Sequence, residues 1–135
     1  MTKGQDAGRI LIVDDEQGLL FLLTQRLRSW GYEVLTAESG EDGLEMAQKH
    51  KPDLVLLDIL MPRMKGREVC VALKADPNTR HIPVIFLTAL GLPDHVKSGL
   101  EAGAEDYVSK TIDADQLRDR IRVCLARHRS PDRRP

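Results

Sequence analysis

The stretch "LVLLDILMPRMKG" (residues 54–66) decides the fold. Four apolar residues run straight into a carboxylate, Asp58, and further apolar residues and a proline follow. A short, continuous apolar run suits a strand covered on both faces, as in a parallel sheet. It also carries a carboxylate to the strand's end, where burial is unfavourable unless a partner meets it. Fold and chemistry both follow from asking what else arrives there.

Working outward, further strand-like runs are "RILIV" (9–13), "EVLTA" (33–37), "PVIFLT" (83–88) and "DYVS" (106–109), with the central strand read as "DLVLLD" (53–58). Helical patterns lie between them. Leu19, Leu20, Leu22, Leu23, Leu27 and Trp30 form a wide apolar stripe, and Gly31 follows as a stop signal. Ser39 reads as an N-cap, with an acid three residues on at Asp42, and Pro52 ends the second helix. A third helix is expected over 66–75. Pro93 suits the first turn of a fourth and Gly103 its end. Asp113 and Gln116 resemble a capping box for a fifth. Five strand–helix repeats joined by right-handed crossovers give an open parallel sheet, α/β and doubly wound, with helices on both faces.

The length of 135 residues fits one domain. Apolar residues at 41% fill a core and charged residues at 30% cover a surface, while a net charge of -1 gives no global pull toward nucleic acid or anionic membrane. No run approaches the eighteen or so apolar residues of a membrane span, and the polar start "MTKGQDAG" lacks a signal peptide's apolar region, so neither direct nucleic-acid contact nor membrane insertion is expected and the location is cytoplasmic. Cys70 and Cys124 are too few for a disulfide framework and read as reduced thiols. The expected division is a frayed tail over 1–8, one domain over 9–127, and a C-terminal tail or start of a linker over 128–135.

In open α/β sheets, function gathers beyond the carboxyl ends of the strands. The first strand ends in Asp14, Asp15 and Glu16, the third in Asp58, the fourth in Thr88 and Ala89, and the fifth leads to Ser109 and Lys110. Carboxylates gathered at one edge repel one another and resist ionisation, so a cation must hold them. Mg²⁺ typically takes one or two carboxylates, keeps several waters and leaves room for phosphate oxygens. With an ammonium at Lys110 and a hydroxyl at Thr88, such an edge would stabilise a phosphoryl group in transfer, with a carboxylate as nucleophile.

The motifs "ILIVDDE", "DLVLLDILMPRMKG", "PVIFLTA" and "GAEDYVSK" together resemble the receiver domain of two-component response regulators, over roughly residues 9–127. The resemblance implies a flavodoxin-like sheet of order 2-1-3-4-5 flanked by five helices. It implies that Asp58 accepts a phosphoryl group from a histidine kinase or a histidine phosphotransfer protein. Asp14 and Asp15 would hold Mg²⁺ with Asp58 and the backbone carbonyl of Leu60, Mn²⁺ being able to substitute. Thr88 and Lys110 would contact phosphoryl oxygens, and Tyr107 would be the aromatic that turns inward as Thr88 moves. The face made by the fourth helix, fifth strand and fifth helix would then bind a downstream protein, an attached output domain or a second copy in a phosphorylation-linked homodimer. Lys97, Glu101, Glu105 and Arg120 are the charges available for cross-subunit pairs there. The implied role is signal relay, with no turnover beyond self-phosphorylation and autodephosphorylation.

Three features depart from the family pattern. Thr111 stands where the family usually has proline after the lysine. The bond before it is therefore either trans with a shifted loop, or a strained cis bond of roughly 3 kcal/mol. Leu60 and Leu90, two residues beyond Asp58 and Thr88, would impede an attacking water, so a long-lived phosphoryl form is expected. Gly91 loosens the segment after Thr88 or serves a turn before Pro93. The alternatives are a degenerate receiver that binds partners without phosphorylation, an aspartyl phosphohydrolase, which would want a second aspartate at Leu60, and a flavin protein, whose phosphate Asp14, Asp15 and Glu16 would repel.

Overall fold

A computed structural model describes residues 6–89 and 102–128. Among them the strands are β1 (Arg9–Val13), β2 (Glu33–Ala37), β3 (Leu54–Asp58), β4 (Val84–Thr88) and β5 (Asp106–Ser109). The helices are α1 (Gln17–Ser29), α2 (Gly40–His50), α3 (Gly66–Ala75) and α4 (Ala114–His128), the last being the helix expected as the fifth. The helix expected over 93–103 lies outside the described residues except at its end. The strands pair in parallel, in the order β2-β1-β3-β4-β5.

The sequence explains this order of layers. β3 and β4 are buried along their whole length, and β1 at all but its first residue. Their side chains alternate between two cores. Ile10, Ile12, Leu54, Leu56, Ile85, Leu87 and Val108 pack beneath α1 and α4. Leu11, Val13, Val55, Leu57, Val84 and Phe86 pack beneath α2 and α3. Each such leucine or isoleucine removed from water contributes roughly 1.5–3 kcal/mol, which is why the central strands are so apolar. The stripe on α1 narrows to Leu20, Leu23 and Leu27 as its buried residues, while Leu22 faces solvent.

The caps follow the sequence. Ser39 Oγ accepts from Asp42 N at 3.1 Å, and Asp113 Oδ2 accepts from Asp115 N at 3.1 Å. Gly31 ends the first helical segment at φ 110°. Within the segment expected as a tail, Asp6 N donates to Trp30 O at 3.0 Å and Arg118 Nε donates to Asp6 Oδ2 at 3.0 Å. At the other end α4 runs through His128.

Candidate functional site

The ladder continues one residue past several strand ends and thereby places the site. Asp14 N donates to Ala37 O at 3.1 Å, Ile59 N to Leu87 O at 3.0 Å, and Lys110 N to Thr88 O at 2.8 Å. Strand alternation does the rest. Asp14 continues the row of Ile10 and Ile12, Asp58 that of Leu54 and Leu56, and Lys110 follows Val108, all on the α1/α4 side of the sheet.

Lys110 is the hub of this edge. Its Nζ lies 3.0 Å from Asp14 Oδ2, 3.2 Å from Asp58 Oδ2 and 3.6 Å from Glu16 Oε1. The backbone fixes the other carboxylate oxygens: Leu60 N donates to Asp58 Oδ1 at 3.2 Å and Glu16 N to Asp14 Oδ1 at 2.9 Å. Asp14 is 0% exposed, Asp58 3% and Thr88 2%, whereas Asp15 lies at the surface. One ammonium therefore faces two buried carboxylates and a third at Glu16.

The electrostatics follow from that imbalance. Burial, and then the charge of Asp14, push the Asp58 carboxyl up to about 6, against the opposing pull of Leu60 N–H and Lys110. Burial acts to lower the Lys110 ammonium, but Asp14 and Asp58 outweigh it and its net shift is upward. Lys110 stays charged as a result.

The donor set fits a hard divalent ion. Oxygens of Asp14, Asp15 and Asp58 lie within 4.8 Å of one another. Asp14 Oδ2 is fully buried and meets Lys110 as a charge, without a well-formed hydrogen bond. Three carboxylates against one ammonium leave net negative charge and a buried oxygen in need of a cation.

The loop beyond Asp58 is constrained more tightly than a turn requires. A Cβ on Gly66 would lie 2.2 Å from Asp58 O and 2.8 Å from Ile59 Cα. The start of α3 thus rests on the backbone of the candidate acceptor, and close approach excludes a side chain there. Gly66 N donates to Ile59 O at 3.2 Å, which holds that contact.

Of the residues expected at the site, Asp14, Asp15, Asp58 and Lys110 come together. Leu60 enters through its backbone N–H, with its side chain 47% exposed, and Thr88 through its carbonyl to Lys110 N. Tyr107 stands apart with its ring 40% exposed. Leu90 lies outside the described residues, as do Gly91, Lys97 and Glu101. Glu16 had no assigned role from sequence, although it stands in the "DDE" triplet, and it is a third partner of Lys110. Among the described residues no peptide bond is cis, so Lys110–Thr111 is trans. A hydroxyl turn stands where the family has proline: Thr111 N donates to Ser109 Oγ at 3.1 Å, and the Ser109 and Thr111 hydroxyls lie 2.8 Å apart. Two of the charges expected to pair across a dimer are satisfied within the chain, Arg120 with Asp106, and Glu105 with Arg127 and His128.

Among the described residues no helix is long and apolar enough to cross a membrane. The sequence matches the response regulator receiver domain family over residues 10–122. It is 48% identical over 117 residues to the response regulator PleD of Caulobacter vibrioides, covering 86% of this chain and 26% of that one. It is 39% identical over 119 residues to the DNA-binding dual master transcriptional regulator RpaA of Synechocystis, covering 88% and 49%. The chain thus spans about a quarter to a half of these curated relatives. Among solved structures, the receiver domain of a signal transduction histidine kinase from Syntrophus aciditrophicus is similar at a TM-score of 0.83 and 34% identity, over 95% of each chain. The receiver domain of the sensor histidine kinase PA1611 from Pseudomonas aeruginosa, with a magnesium ion coordinated in its active-site cleft, is similar at a TM-score of 0.83 and 27% identity, over 90% of this chain and 99% of that one. Matched along most of its length in sequence and alike in fold, this chain belongs to the response regulator receiver domain family.

Proposed function

We propose that Asp58 accepts a phosphoryl group from the phosphohistidine of a histidine kinase or a histidine phosphotransfer protein. The observation that carries this reading is the placement of Lys110 Nζ against both Asp14 and Asp58 at a buried, oxygen-lined edge. In the transfer, an Asp58 carboxylate oxygen forms a bond to phosphorus while the phosphorus–nitrogen bond to the donor imidazole breaks. The imidazole leaves with the bonding pair and takes a proton from solvent. Asp14, Asp15, Asp58 and the Leu60 carbonyl would hold Mg²⁺, or Mn²⁺ in its place. When bound, the ion neutralises charge on the phosphoryl oxygens.

The chain's own residues supply the remainder. Leu60 N–H orients the Asp58 carboxylate. Lys110, charged and within reach of Asp58, receives one phosphoryl oxygen, and the Thr88 hydroxyl receives another. The aspartyl phosphate adds nearly two negative charges at a site that already holds excess carboxylate. Lys110 and Thr88 move toward it, and the ring of Tyr107, exposed before phosphorylation, fills the space they leave. That change biases the face around β5 and α4 toward a downstream protein, an output domain or a second copy. A trans Lys110–Thr111 bond with Lys110 already aimed at Asp58 favours this over a degenerate receiver.

Beryllofluoride with Mg²⁺, titrated against the protein and followed by two-dimensional NMR, tests the proposal. Saturable, Mg²⁺-dependent shifts that vanish in Asp58→Ala are expected. No response in the native protein overturns it. Trp30 is a poor reporter for this titration, because it lies beside Arg118 and Asp6 at the opposite edge of the sheet. The half-exposed Leu60 side chain, rooted beside the acceptor, should shield the acyl phosphate from water. A lifetime of minutes or longer is expected, and loss within seconds would remove Leu60 from that role.

A further inference from the structure

Among the described residues, a second cluster of ligating side chains lies at the other edge of the sheet. Glu105 stands immediately before β5, where its N–H donates to Val84 O at 2.9 Å. α4 runs back across the sheet and ends beside it. Cys124 and His128 are four residues apart on α4 and so share one helical face. His128 Nε2 lies 2.9 Å from Glu105 Oε1, and Arg127 Nη1 lies 3.4 Å from Glu105 Oε2. The thiol, imidazole and carboxylate donor atoms are within 4.8 Å of one another.

We propose that Glu105, Cys124 and His128 form a binding site for a borderline-soft divalent cation of the Zn²⁺ type. The donor set discriminates between ions. Carboxylate and carbonyl oxygens suit Mg²⁺, whereas sulfur and imidazole nitrogen suit Zn²⁺ and its spectroscopic substitute Co²⁺. Donors around a tetrahedral Zn²⁺ sit about 3.5 Å apart, given bonds of about 2.0–2.3 Å, so side-chain rotation of roughly an ångström closes the site. A fourth position remains for water. Cys124 is buried, while Glu105 and His128 are each about a quarter exposed, so the ion has a route in from solvent.

The charges are compatible. A thiolate and a carboxylate together balance a divalent ion. Burial and then the charge of Glu105 push the Cys124 thiol up to about 12, so its proton is released to solvent only as the metal binds. Arg127 and, more weakly, Lys74, which reaches in from α3 with its Nζ on the carbonyls of Arg80 and Ile82, act in the opposite sense and favour the thiolate. The bound ion would cross-link the start of β5 to the end of α4, two residues from Tyr107.

The test uses the full chain, stripped of metal and then held in excess Mg²⁺ to saturate the carboxylate edge. Co²⁺ is titrated and the thiolate-to-cobalt charge-transfer absorbance recorded. A band that saturates at one equivalent and is bleached by Zn²⁺ is expected. It should be absent in Cys124→Ser, unchanged in Cys70→Ala, and shifted to more than about tenfold higher Co²⁺ in His128→Ala and in Glu105→Gln. His128 lies at a helix end, so its variant keeps the test valid even where Cys124→Ser disturbs the core. No charge-transfer band at millimolar Co²⁺ overturns the proposal. So does a band that survives Cys124→Ser, or affinity in His128→Ala equal to that of the native protein.

Discussion

Asp58 and Asp6 are both poorly exposed carboxylates that face cations, at opposite edges of one sheet, and their surroundings push them in opposite directions. At the carboxyl edge, burial and then the charge of Asp14 raise the Asp58 carboxyl to about 6, and the Lys110 ammonium that Asp58 shares with Asp14 and Glu16 does not offset them. At the amino edge, Asp6 has Arg118 and Arg122 largely to itself. Burial there works to raise its carboxyl, but the hydrogen bond from Arg118, with help from Tyr32 and Arg122, leaves it lowered. Burial works upward on both carboxyls, and the balance of nearby carboxylates and cations decides whether it is overcome, as it is only at Asp6. One edge is built with charge left over, which suits a site that takes up a metal and a phosphoryl group. The other is closed, and it anchors the N-terminal segment.

The largest expected effect separates the edges outright. Asp58→Ala abolishes the acyl phosphate formed from a small phosphodonor with Mg²⁺, read by mass spectrometry. His128→Ala leaves it unchanged, because the two clusters share no residue, and sites without shared partners act independently. Phosphate incorporation that persists in Asp58→Ala would move the acceptor elsewhere. Next in size is Lys110→Met. It removes the ammonium that lies between two buried carboxylates, and breaking such a pair costs about 3 kcal/mol at pH 7 without divalent ions. Urea unfolding followed by Trp30 fluorescence measures it, and a loss within error would mean that solvent already screens Asp14 and Asp58.

Asp58→Asn goes the other way. The native carboxyl, raised from its ordinary 3.8 to about 6, binds its proton more tightly folded than unfolded. Between those values the folded state holds more protons, so metal-free stability falls as pH rises through that window. Asparagine removes the fall. The variant should be more stable than the native protein by about 2 kcal/mol at pH 7.5 and equal to it near pH 4, and saturating Mg²⁺ should narrow the gap. A gain of the same size at both pH values would show that burial of the charge is not its source.

Most of this architecture is legible in the chain because its signals are local. Continuous apolar runs mark β3 and β4, and Ser39 and Asp113 mark helix starts by hydrogen bonds within three residues. The candidate site is legible for a related reason. A parallel sheet carries residues that end strands to one edge, so Asp14, Asp58 and Lys110 meet although far apart in sequence. Features that depend on close approach between distant segments are not legible. Gly66 reads as a turn residue, yet its constraint is the Asp58 carbonyl 2.2 Å from where its Cβ would sit. Asp6 reads as tail because nothing local announces Arg118, 112 residues away. Glu105, Cys124 and His128 join only because α4 returns across the sheet to the start of β5.

The smallest effect tests the closed edge. Asp6→Asn keeps the shape but removes the charge that Arg118 and Arg122 face and the acceptor that lowers the Asp6 carboxyl. The folded-state carboxyl lies below its unfolded value, so its contribution is present above about pH 4 and is lost as pH falls through the lowered value. The pair lies near the surface and is partly screened, so the variant should lose only about 1 kcal/mol at pH 7. The loss should shrink in high salt and disappear in acid. In the same urea and pH series, Asp58→Asn and Asp6→Asn should therefore cross, one gaining stability on the alkaline side where the other loses it. Parallel shifts in the two variants would mean that carboxylate count at each edge does not set the sign, and that burial alone governs both.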